Sequence, residues 1–375
     1  MTCAVLPTHP VAPTGLFSQQ EMQLKRKEAS SFNEIGNLPF QMQQAVQKRT
    51  RLEPMPRLGQ QIFGANQALT GPCGYPQLSQ QSAGSDIGQA FYLLSDCEQD
   101  YLKEQLAKET KSQPNHLYLH HTQQEVDAHK RLVLVDWLIE VVDEFVLSQE
   151  SLYLAISLLD RFLSMQAVPR CQLQLLGVTC LWVASKYEEV LPPALQDFVE
   201  ITDNSYEAAD LIRMESLLLR QLHYELAVPT PLHFLHQLLS HAQAEEFGGA
   251  SPRGPCQPAN PEQAQLQHLA EYLLELALLT PETLRYRPSV VAASALQLAC
   301  NLLAHCAAPC SRAACGKLCR AISAEAAVGL EGCMAELQRM LRWAGSAQQA
   351  PCVRDKYSDA RRSCVALMGT FAAAW

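Results

Sequence analysis

Apolar residues recur every three or four positions over the middle of the chain, as they do on one face of an α-helix. The first such helix begins near Lys130 and carries Val135 and Leu138 on its apolar face. The third, from Cys171 to Tyr187, is apolar on nearly every side, which is typical of a helix surrounded by others. The pattern predicts five helices with this one at the centre, starting near Lys130, Glu150, Cys171, Pro192 and Tyr206.

A second region of helical periodicity follows Pro229. It predicts helices from Leu232 and over 262–279, 288–304 and 325–342, with a loop rich in Gly and Pro at 247–261. The helix from Ser289 to Leu303 repeats the apolar character of the first region's central helix, so two five-helix units in tandem are predicted. Alternating apolar and polar residues, the signal of a strand, are missing. The predicted fold class is therefore all-α.

Residues 1–94 lack this periodicity and are rich in Gln, Pro, Gly and Ser. Such a segment cannot bury enough apolar surface to offset its ordering entropy, so we expect it to be disordered. A short amphipathic helix is predicted from Asp96 to Lys108, before Pro114 breaks the chain. We divide the chain into a disordered N-terminal region (1–94), a first helical domain with its leading helix (95–228), a second helical domain (229–345) and a C-terminal tail (346–375).

Composition narrows the classes of partner. The formal net charge of −9 argues against a general nucleic-acid binder, which needs basic surface to displace counterions. The start of the chain lacks a basic segment followed by a long apolar run, so no secretory signal is predicted. Charged or polar residues interrupt every apolar stretch before membrane-spanning length. We therefore expect neither a membrane nor a nucleic acid among the partners, and we expect the 14 cysteines to be thiols.

Two clusters of residues are candidate sites of metal binding or catalysis. Cys306, Cys310, Cys315 and Cys319 could hold zinc, but their spacing contains no Cys-x-x-Cys pair, and buried, Ala-like cysteines are the alternative. The histidines at 116, 120, 121 and 129 have no nucleophile in evident partnership and are interpreted as solvated. We predict no cofactor, no metal and no enzymatic activity.

Three sequence motifs carry a resemblance to a known family. Leu-Val-Asp-Trp-Leu-Ile-Glu-Val at 134–141, Leu-Leu-Asp-Arg-Phe-Leu at 158–163 and Leu-Trp-Val-Ala-Ser-Lys-Tyr-Glu-Glu-Val at 181–190 resemble the cyclin box of A-type and B-type cyclins. Tyr-Arg-Pro-Ser-Val at 286–290 and Val-Arg-Asp-Lys-Tyr at 353–357 are similar to the C-terminal cyclin fold. The resemblance covers residues 92–367 and implies two tandem five-helix cyclin folds in a divergent member of the family.

The resemblance also implies a kinase-binding site. In this family Lys186 and Glu215 would bind main-chain groups around the mobile αC helix of a cyclin-dependent kinase, since Lys donates to carbonyls and Glu accepts from amides. Four neighbours are predicted to line an apolar pocket for a kinase side chain: Tyr187, Phe198, Leu218 and Tyr224. The alternative is an ordinary salt bridge between two helices.

A second predicted site is a substrate-docking groove. A-type and B-type cyclins carry a Met-Arg-Ala-Ile-Leu motif that receives an Arg-x-Leu peptide, and this chain has Lys130-Arg131-Leu132-Val133-Leu134 there. Lys130 replaces the usual Met, so we expect weak binding of substrate or inhibitor proteins that bear Arg-x-Leu. Arg131 is also suited to bidentate pairing with a carboxylate, and Asp160 could be its partner or a capping group. The predicted groove comprises Lys130, Arg131, Val133, Leu134, Trp137, Glu140, Leu173 and Gln174.

Together these features predict a regulatory subunit that binds and activates a cyclin-dependent serine/threonine kinase in cell-cycle control. The alternative is a cyclin-fold scaffold or transcription-associated protein without kinase-activating ability. We expect a nuclear and/or cytoplasmic location, and the basic clusters at 25–27 and 48–51 could serve nuclear import or be solvated charge. Arg49-Thr50-Arg51-Leu52 fits an Arg-x-x-Leu destruction box, but so short a pattern is common.

Overall fold

All regular structure in the described part of the chain is helical. The computed structural model describes residues 96–246, 261–303, 329–346 and 351–367. The predicted disordered region, most of the predicted loop at 247–261 and the cluster from Cys306 to Cys319 lie outside these ranges. Within them there is no strand, so the all-α prediction is confirmed. None of the helices in these ranges is both long enough and apolar enough to cross a bilayer.

The first unit is built around one buried helix. Its helices are α1 (Asp96–Ser112), α2 (Tyr118–His121), α3 (Ala128–Glu144), α4 (Gln149–Met165), α5 (Leu173–Glu188), α6 (Leu195–Glu200) and α7 (Ala208–Gln221). Every residue of α5 from Leu173 to Ser185 is buried, and α3, α4, α6 and α7 pack against it. At Gly177 an added Cβ would lie 2.8 Å from Leu134 Cδ1, so a side chain there would collide with α3. The five-helix arrangement around a central helix is as predicted.

One predicted helix start was wrong. Pro192 and Pro193 precede α6 rather than opening it, and Ala194 between them and the helix has extended backbone. The helix begins at Leu195, where the Asp197 carboxylate accepts the backbone N–H of Ala194 at 2.8 Å. Backbone N–H groups at the start of a helix have no partner within the helix, so a side chain that accepts one of them favours a helix that begins there.

The second unit, like the first, is built around an apolar central helix. Its helices in the described ranges are α8 (Pro231–Glu246), α9 (Pro261–Leu278), α10 (Pro288–Leu302), α11 (Leu330–Ser346) and α12 (Cys352–Tyr357). Helix α10 is buried at nearly every position and packs against α8, α9 and α11. The segment after residue 345, which we delimited as a tail, contains α12 and packs against α3 and α9.

Glu109 anchors the leading helix α1 to the second unit. Its carboxylate is fully buried and accepts both the backbone N–H and the hydroxyl of Ser289, at 2.9 and 2.8 Å. These bonds satisfy the start of α10, where a negative charge also meets the favourable end of the helix dipole. Burial raises the pKa of Glu109, although the bonds from Ser289 act in the opposite direction.

A buried ion pair ties α3 to α4 and to the second unit. Arg131 donates Nε–H and Nη2–H to the two carboxylate oxygens of Asp160, both at 2.7 Å, and Nη1–H to the carbonyl of Leu278 at 2.8 Å. The Tyr118 hydroxyl donates to the same carboxylate at 2.8 Å. Burial opposes the charged form of Arg131, but the interactions with Asp160 and Tyr118 together outweigh burial and raise the pKa of the guanidinium. Both carboxylate oxygens of Asp160 thus accept hydrogen bonds. Removing either Arg131 or Asp160 would leave the other charge buried without a partner.

Candidate functional site

Lys186 and Glu215 meet at the surface of the first unit. Lys186 lies in the last turn of α5 and Glu215 in the middle of α7, and their side chains form an ion pair. The Lys186 ammonium also lies 3.4 Å from the centre of the Trp182 ring, a cation–π geometry. The Lys186 side chain is 34% exposed and that of Glu215 is 19% exposed, so both are partly accessible to a partner.

The four residues predicted to line a pocket beside this pair divide into two groups. Tyr187 and Tyr224 are exposed, with relative accessibilities of 51% and 67%. Phe198 and Leu218 are fully buried, and Phe198 packs edge-on against Phe145 with ring centroids 5.3 Å apart. The prediction that Phe198 and Leu218 line an open pocket was therefore wrong. They belong to the core beneath the surface, because α6 and α7 turn these side chains toward the neighbouring helices.

Sequence reasoning missed further apolar residues on this side of the unit. Val190 and Leu191, immediately after α5, are 95% and 87% exposed, and Ile212, one turn before Glu215, is 48% exposed. Val146 in the α3–α4 turn is also open, and it lies two residues before Ser148. Exposed apolar residues that cluster mark interaction surfaces. The signal in the sequence for this exposed surface was the apolar pair Val190-Leu191, which stands between the end of α5 and Pro192-Pro193.

Glu189 fixes the backbone that carries these exposed residues. One carboxylate oxygen accepts the backbone N–H and hydroxyl of Ser148, both at 2.8 Å, and the hydroxyl of Ser151 at 2.7 Å. Burial alone would raise the pKa of Glu189, but these three hydrogen bonds outweigh it and leave the pKa lowered. The segment after α5 is thus tied to the start of α4, and Val190 is held beside the α3–α4 turn.

The predicted docking groove lies along α3 and the start of α5. Leu134, Trp137, Leu173 and Gln174 are all buried, so they form part of the core rather than an open groove wall. The side-chain oxygen of Gln174 is buried without a hydrogen-bond partner. A buried acceptor without a hydrogen-bond partner is unfavourable for folding.

The remaining groove residues differ in accessibility. Val133 is partly exposed and Glu140 is exposed. Lys130 is partly buried, and its ammonium contacts Asp127. The assignment of Arg131 to the groove was wrong, because its side chain is only 1% exposed and is fully used by Asp160 and Leu278. The pairing of Arg131 with Asp160 was correctly anticipated.

Metal-ligating side chains do not gather anywhere in the ranges that the structure describes. No group of three or more His, Cys, Asp or Glu residues there has an arrangement that could hold an ion. The cluster from Cys306 to Cys319 is outside those ranges.

Comparison with known proteins identifies the family. The family model of the cyclin N-terminal domain matches residues 100–227, and that of the cyclin C-terminal domain matches residues 229–370. Among curated proteins, Cyclin-A1-1 of Arabidopsis thaliana is 36% identical over 267 residues, which cover 71% of this chain and 54% of that protein. The G2/mitotic-specific cyclin-B2 of Anguilla japonica is 45% identical over 174 residues, which cover 46% and 40% respectively.

A solved structure gives a further comparison. A viral cyclin from herpesvirus saimiri aligns with a TM-score of 0.47 and 20% identity, over 63% of this chain and 97% of the viral chain. The chain spans about half the length of the first curated relatives it matches.

The chain belongs to the cyclin family and carries both of the family's helical domains. Its curated relatives include A-type and B-type cyclins at 36–45% identity.

Proposed function

We propose that this chain is the regulatory subunit of a cyclin-dependent serine/threonine kinase. It binds the kinase through the face around Lys186 and Glu215, holds the kinase's αC helix inward and supplies no catalytic group. The observation that carries the proposal is the position of this ion pair, formed between two helices that expose Tyr187 next to Lys186 and Ile212 one turn before Glu215. The relatives named above are A-type and B-type cyclins, which supports a role in cell-cycle control.

The polar pair and its apolar surroundings have complementary tasks in this proposal. Lys186 offers donors to main-chain carbonyls of a partner, and Glu215 accepts from main-chain amides, so the pair can bind a helix end without recognising its side chains. Tyr187 and Ile212 are exposed within three residues of the pair in the chain, and Tyr224 is exposed after the end of α7, so all three supply apolar area. Aromatic anchors around a central polar contact are the usual composition of a protein-binding hot spot.

An exposed salt bridge alone does not support this proposal. Such pairs contribute about 0–1 kcal/mol to stability and occur on many surfaces. The exposed apolar side chains of Tyr224, Val190 and Leu191 distinguish this face. Exposed apolar surface of this kind is unfavourable in water and marks a surface that a partner covers. Tyr224 also has a positive φ of 60° and follows His223 with φ 53°. Such backbone is strained for non-glycine residues and is found at functional sites.

The proposed mechanism is a shift of the kinase's conformational equilibrium. In an active kinase, a Glu on αC pairs with the β3 Lys, which positions the ATP phosphates. A partner that binds only the inward position of αC favours it by the difference between its affinities for the two positions. Moving an equilibrium from 1:99 to 99:1 takes about 5.5 kcal/mol of differential binding, which is well within the range of a protein interface.

Co-precipitation followed by a kinase assay tests the proposal. Lys186→Ala combined with Glu215→Ala should abolish recovery of the kinase bound to the wild-type chain, since truncating desolvated polar contacts costs about 2–5 kcal/mol. Arg213→Ala is the matched control, because Arg213 pairs with Asp210 on the same helix α7 and its side chain is 70% exposed. The control should retain both the kinase and its activity.

Two outcomes contradict parts of the proposal. Retention of the kinase by a folded double variant means that this face is not the interface. A wild-type complex that forms but has no more activity than the free kinase supports the alternative function, a scaffold without kinase-activating ability. Circular dichroism of each variant establishes that it is folded.

The groove along α3 is proposed as a weak docking site for proteins that bear an Arg-x-Leu motif. The exposed side chain of Glu140 supports this, since a carboxylate accepts hydrogen bonds from the Arg of a basic peptide. A nuclear and/or cytoplasmic location is likewise a proposal, and its basis, the basic clusters before residue 52, lies outside the described residues.

A further inference from the structure

Residues 351–367, called here the C-terminal strap, bind both helical units at once. The strap begins at Pro351, forms α12 and ends in two 3₁₀ turns at Ala360–Arg362 and Val365–Leu367. We propose that the strap is a conformational device that fixes α3 of the first unit in place against α9 of the second. Charged side chains in its interior, rather than apolar contacts alone, make this coupling specific.

The first anchor joins the start of the strap to α3. The backbone N–H of Cys352 donates to Asp136 Oδ1 at 3.1 Å, and the Cys352 thiol lies 2.9 Å from the same oxygen. Pro351 and Val353 on either side are buried. Asp136 therefore acts as a capping group for the first turn of α12, supplied by a residue 216 positions earlier.

The second anchor is a buried charge cluster at the end of α12. Lys356 reaches Glu275 on α9 at 2.9 Å and Asp143 on α3 at 3.3 Å, so one ammonium bridges the two units. The Tyr357 hydroxyl donates to Glu275 at 2.8 Å, and Gln149 at the start of α4 donates to the same carboxylate at 3.0 Å. Glu275 is 0% exposed and the Lys356 side chain is 7% exposed.

The third anchor returns the strap to α9. Arg362 pairs with Glu271 at 3.3 Å, one helical turn before Glu275, and its guanidinium lies 5.1 Å from the centre of the Tyr357 ring. Val365 is buried beyond it. The strap therefore has two charged contacts on α9 and two on α3, and a buried charge that loses its partner is strongly unfavourable. Such a cluster resists sliding of one helix along the other.

Coupling α3 to the second unit has a consequence for the groove. Asp136 immediately precedes Trp137, and Asp143 follows Glu140 by less than one turn, so the strap holds the helix that carries these groove residues. This consequence rests on the proposed docking function, whereas the coupling itself does not. Amide hydrogen exchange of the full chain measures the coupling without any ligand or kinase.

Amide hydrogen exchange of the full chain tests the proposal with three variants. Lys356→Met keeps the side-chain stem and removes the bridging cation, and it should accelerate exchange in α3 and in 351–367 by about tenfold or more. Exchange in α5 should stay at the wild-type rate. Tyr357→Phe removes a single hydroxyl and should give the same local pattern at smaller size. Arg361→Met is the control, since the Arg361 side chain is 88% exposed and pairs with Asp359 within the strap.

Three results overturn the proposal. One is wild-type exchange of α3 in both Lys356→Met and Tyr357→Phe, and another is an equal effect of Arg361→Met. The third is a uniform acceleration of α3, α5 and α9, which would mean that the cluster supports global stability and couples nothing in particular. If Lys356→Met does not fold, Tyr357→Phe decides, because it leaves the charges of the cluster in place.

Discussion

Lys130 and Asp127 form an ion pair and a backbone hydrogen bond at the start of α3. The Lys130 ammonium lies 2.5 Å from Asp127 Oδ2, while Oδ1 of the same carboxylate accepts the backbone N–H of Lys130 at 2.8 Å. Burial acts to raise the pKa of Asp127, but the bonds from Lys130 outweigh it and leave the pKa lowered. The charge that replaces the family's Met is thus neutralised locally, while its stem covers part of the helix surface.

The first prediction concerns peptide binding at this position. Lys130→Met should tighten binding of a labelled Arg-x-Leu peptide by about threefold to tenfold, because a Met at a groove edge gains part of the roughly 1.5–3 kcal/mol of full burial. Asp127→Ser should weaken binding, because Ser can still cap α3 but leaves the ammonium unpaired near the peptide's Arg. Fluorescence anisotropy measures both affinities. Equal affinity in wild type and Lys130→Met would mean that the groove does not receive the peptide.

Trp137→Ala is a less suitable variant for testing whether the groove binds the peptide. Trp137 is 7% exposed, so its truncation removes core packing and should cost about 3–5 kcal/mol in stability. Loss of peptide binding in that variant would report unfolding as much as docking.

The second prediction concerns the buried pair of Arg131 and Asp160. Arg131→Met should lower the free energy of unfolding by about 3–5 kcal/mol, because the Asp160 carboxylate would stay buried without its cation. Arg131→Met combined with Asp160→Leu should be less destabilised than Arg131→Met alone, since the second change removes the orphaned charge. Urea unfolding of the three proteins gives the comparison. A double variant less stable than Arg131→Met would show that the contacts of Asp160 with Tyr118 outweigh the cost of its charge.

The third prediction concerns pH. Because the pKa of Glu189 is lowered in the folded chain, its charged form stabilises the fold above the unfolded value of about 4.5 and loses this effect as the pH falls through the folded pKa. Glu189→Gln should therefore cost about 1–2 kcal/mol at neutral pH, and the difference from wild type should shrink below pH ~4.5.

Glu188→Gln is the matched control for this measurement. The pKa of Glu188 is raised, first by burial and then by the charges of Glu150 and Glu189, so its ionised form does not stabilise the fold. Unfolding of both variants by urea between pH 7 and pH 3 should separate them. A Glu189→Gln difference that is constant over this range contradicts the assigned hydrogen bonds to Ser148 and Ser151.

Long periodic segments of the sequence predicted the fold well. Helices α3, α4 and α5 start within about two residues of the predicted positions, because their apolar faces are continuous and their ends carry caps such as Asp127 and Ser148. Buried Phe198 and Leu218 were assigned to the surface because periodicity marks an apolar face but not what covers it. Lys186 and Glu215, which the resemblance assigned to one site, form an ion pair between α5 and α7.

The pattern of apolar and polar residues does not predict the C-terminal strap. Helix α12 has six residues, too few for a periodic signal, and it begins with a cysteine. One of its anchors is the contact of Lys356 with Glu275 of α9, and charged residues are interpreted as solvent-facing unless their partners are known. The partners are separated by 81 positions, so only the folded chain brings them together.

The last prediction concerns the leading helix. A chain that begins at Tyr92 should bind the kinase as the full chain does, because residues 1–94 lack the apolar periodicity of a helical core. Removing α1 as well should destabilise the second unit, since Ser289 at the start of α10 would lose both bonds to Glu109 and the space left by Leu102 and Glu109 would open to water. Glu109→Ala in the longer chain isolates the cap and should cost about 1–3 kcal/mol by thermal or urea unfolding. Kinase loss from a chain that starts at Tyr92 and is still helical by circular dichroism would place part of the binding site before residue 92.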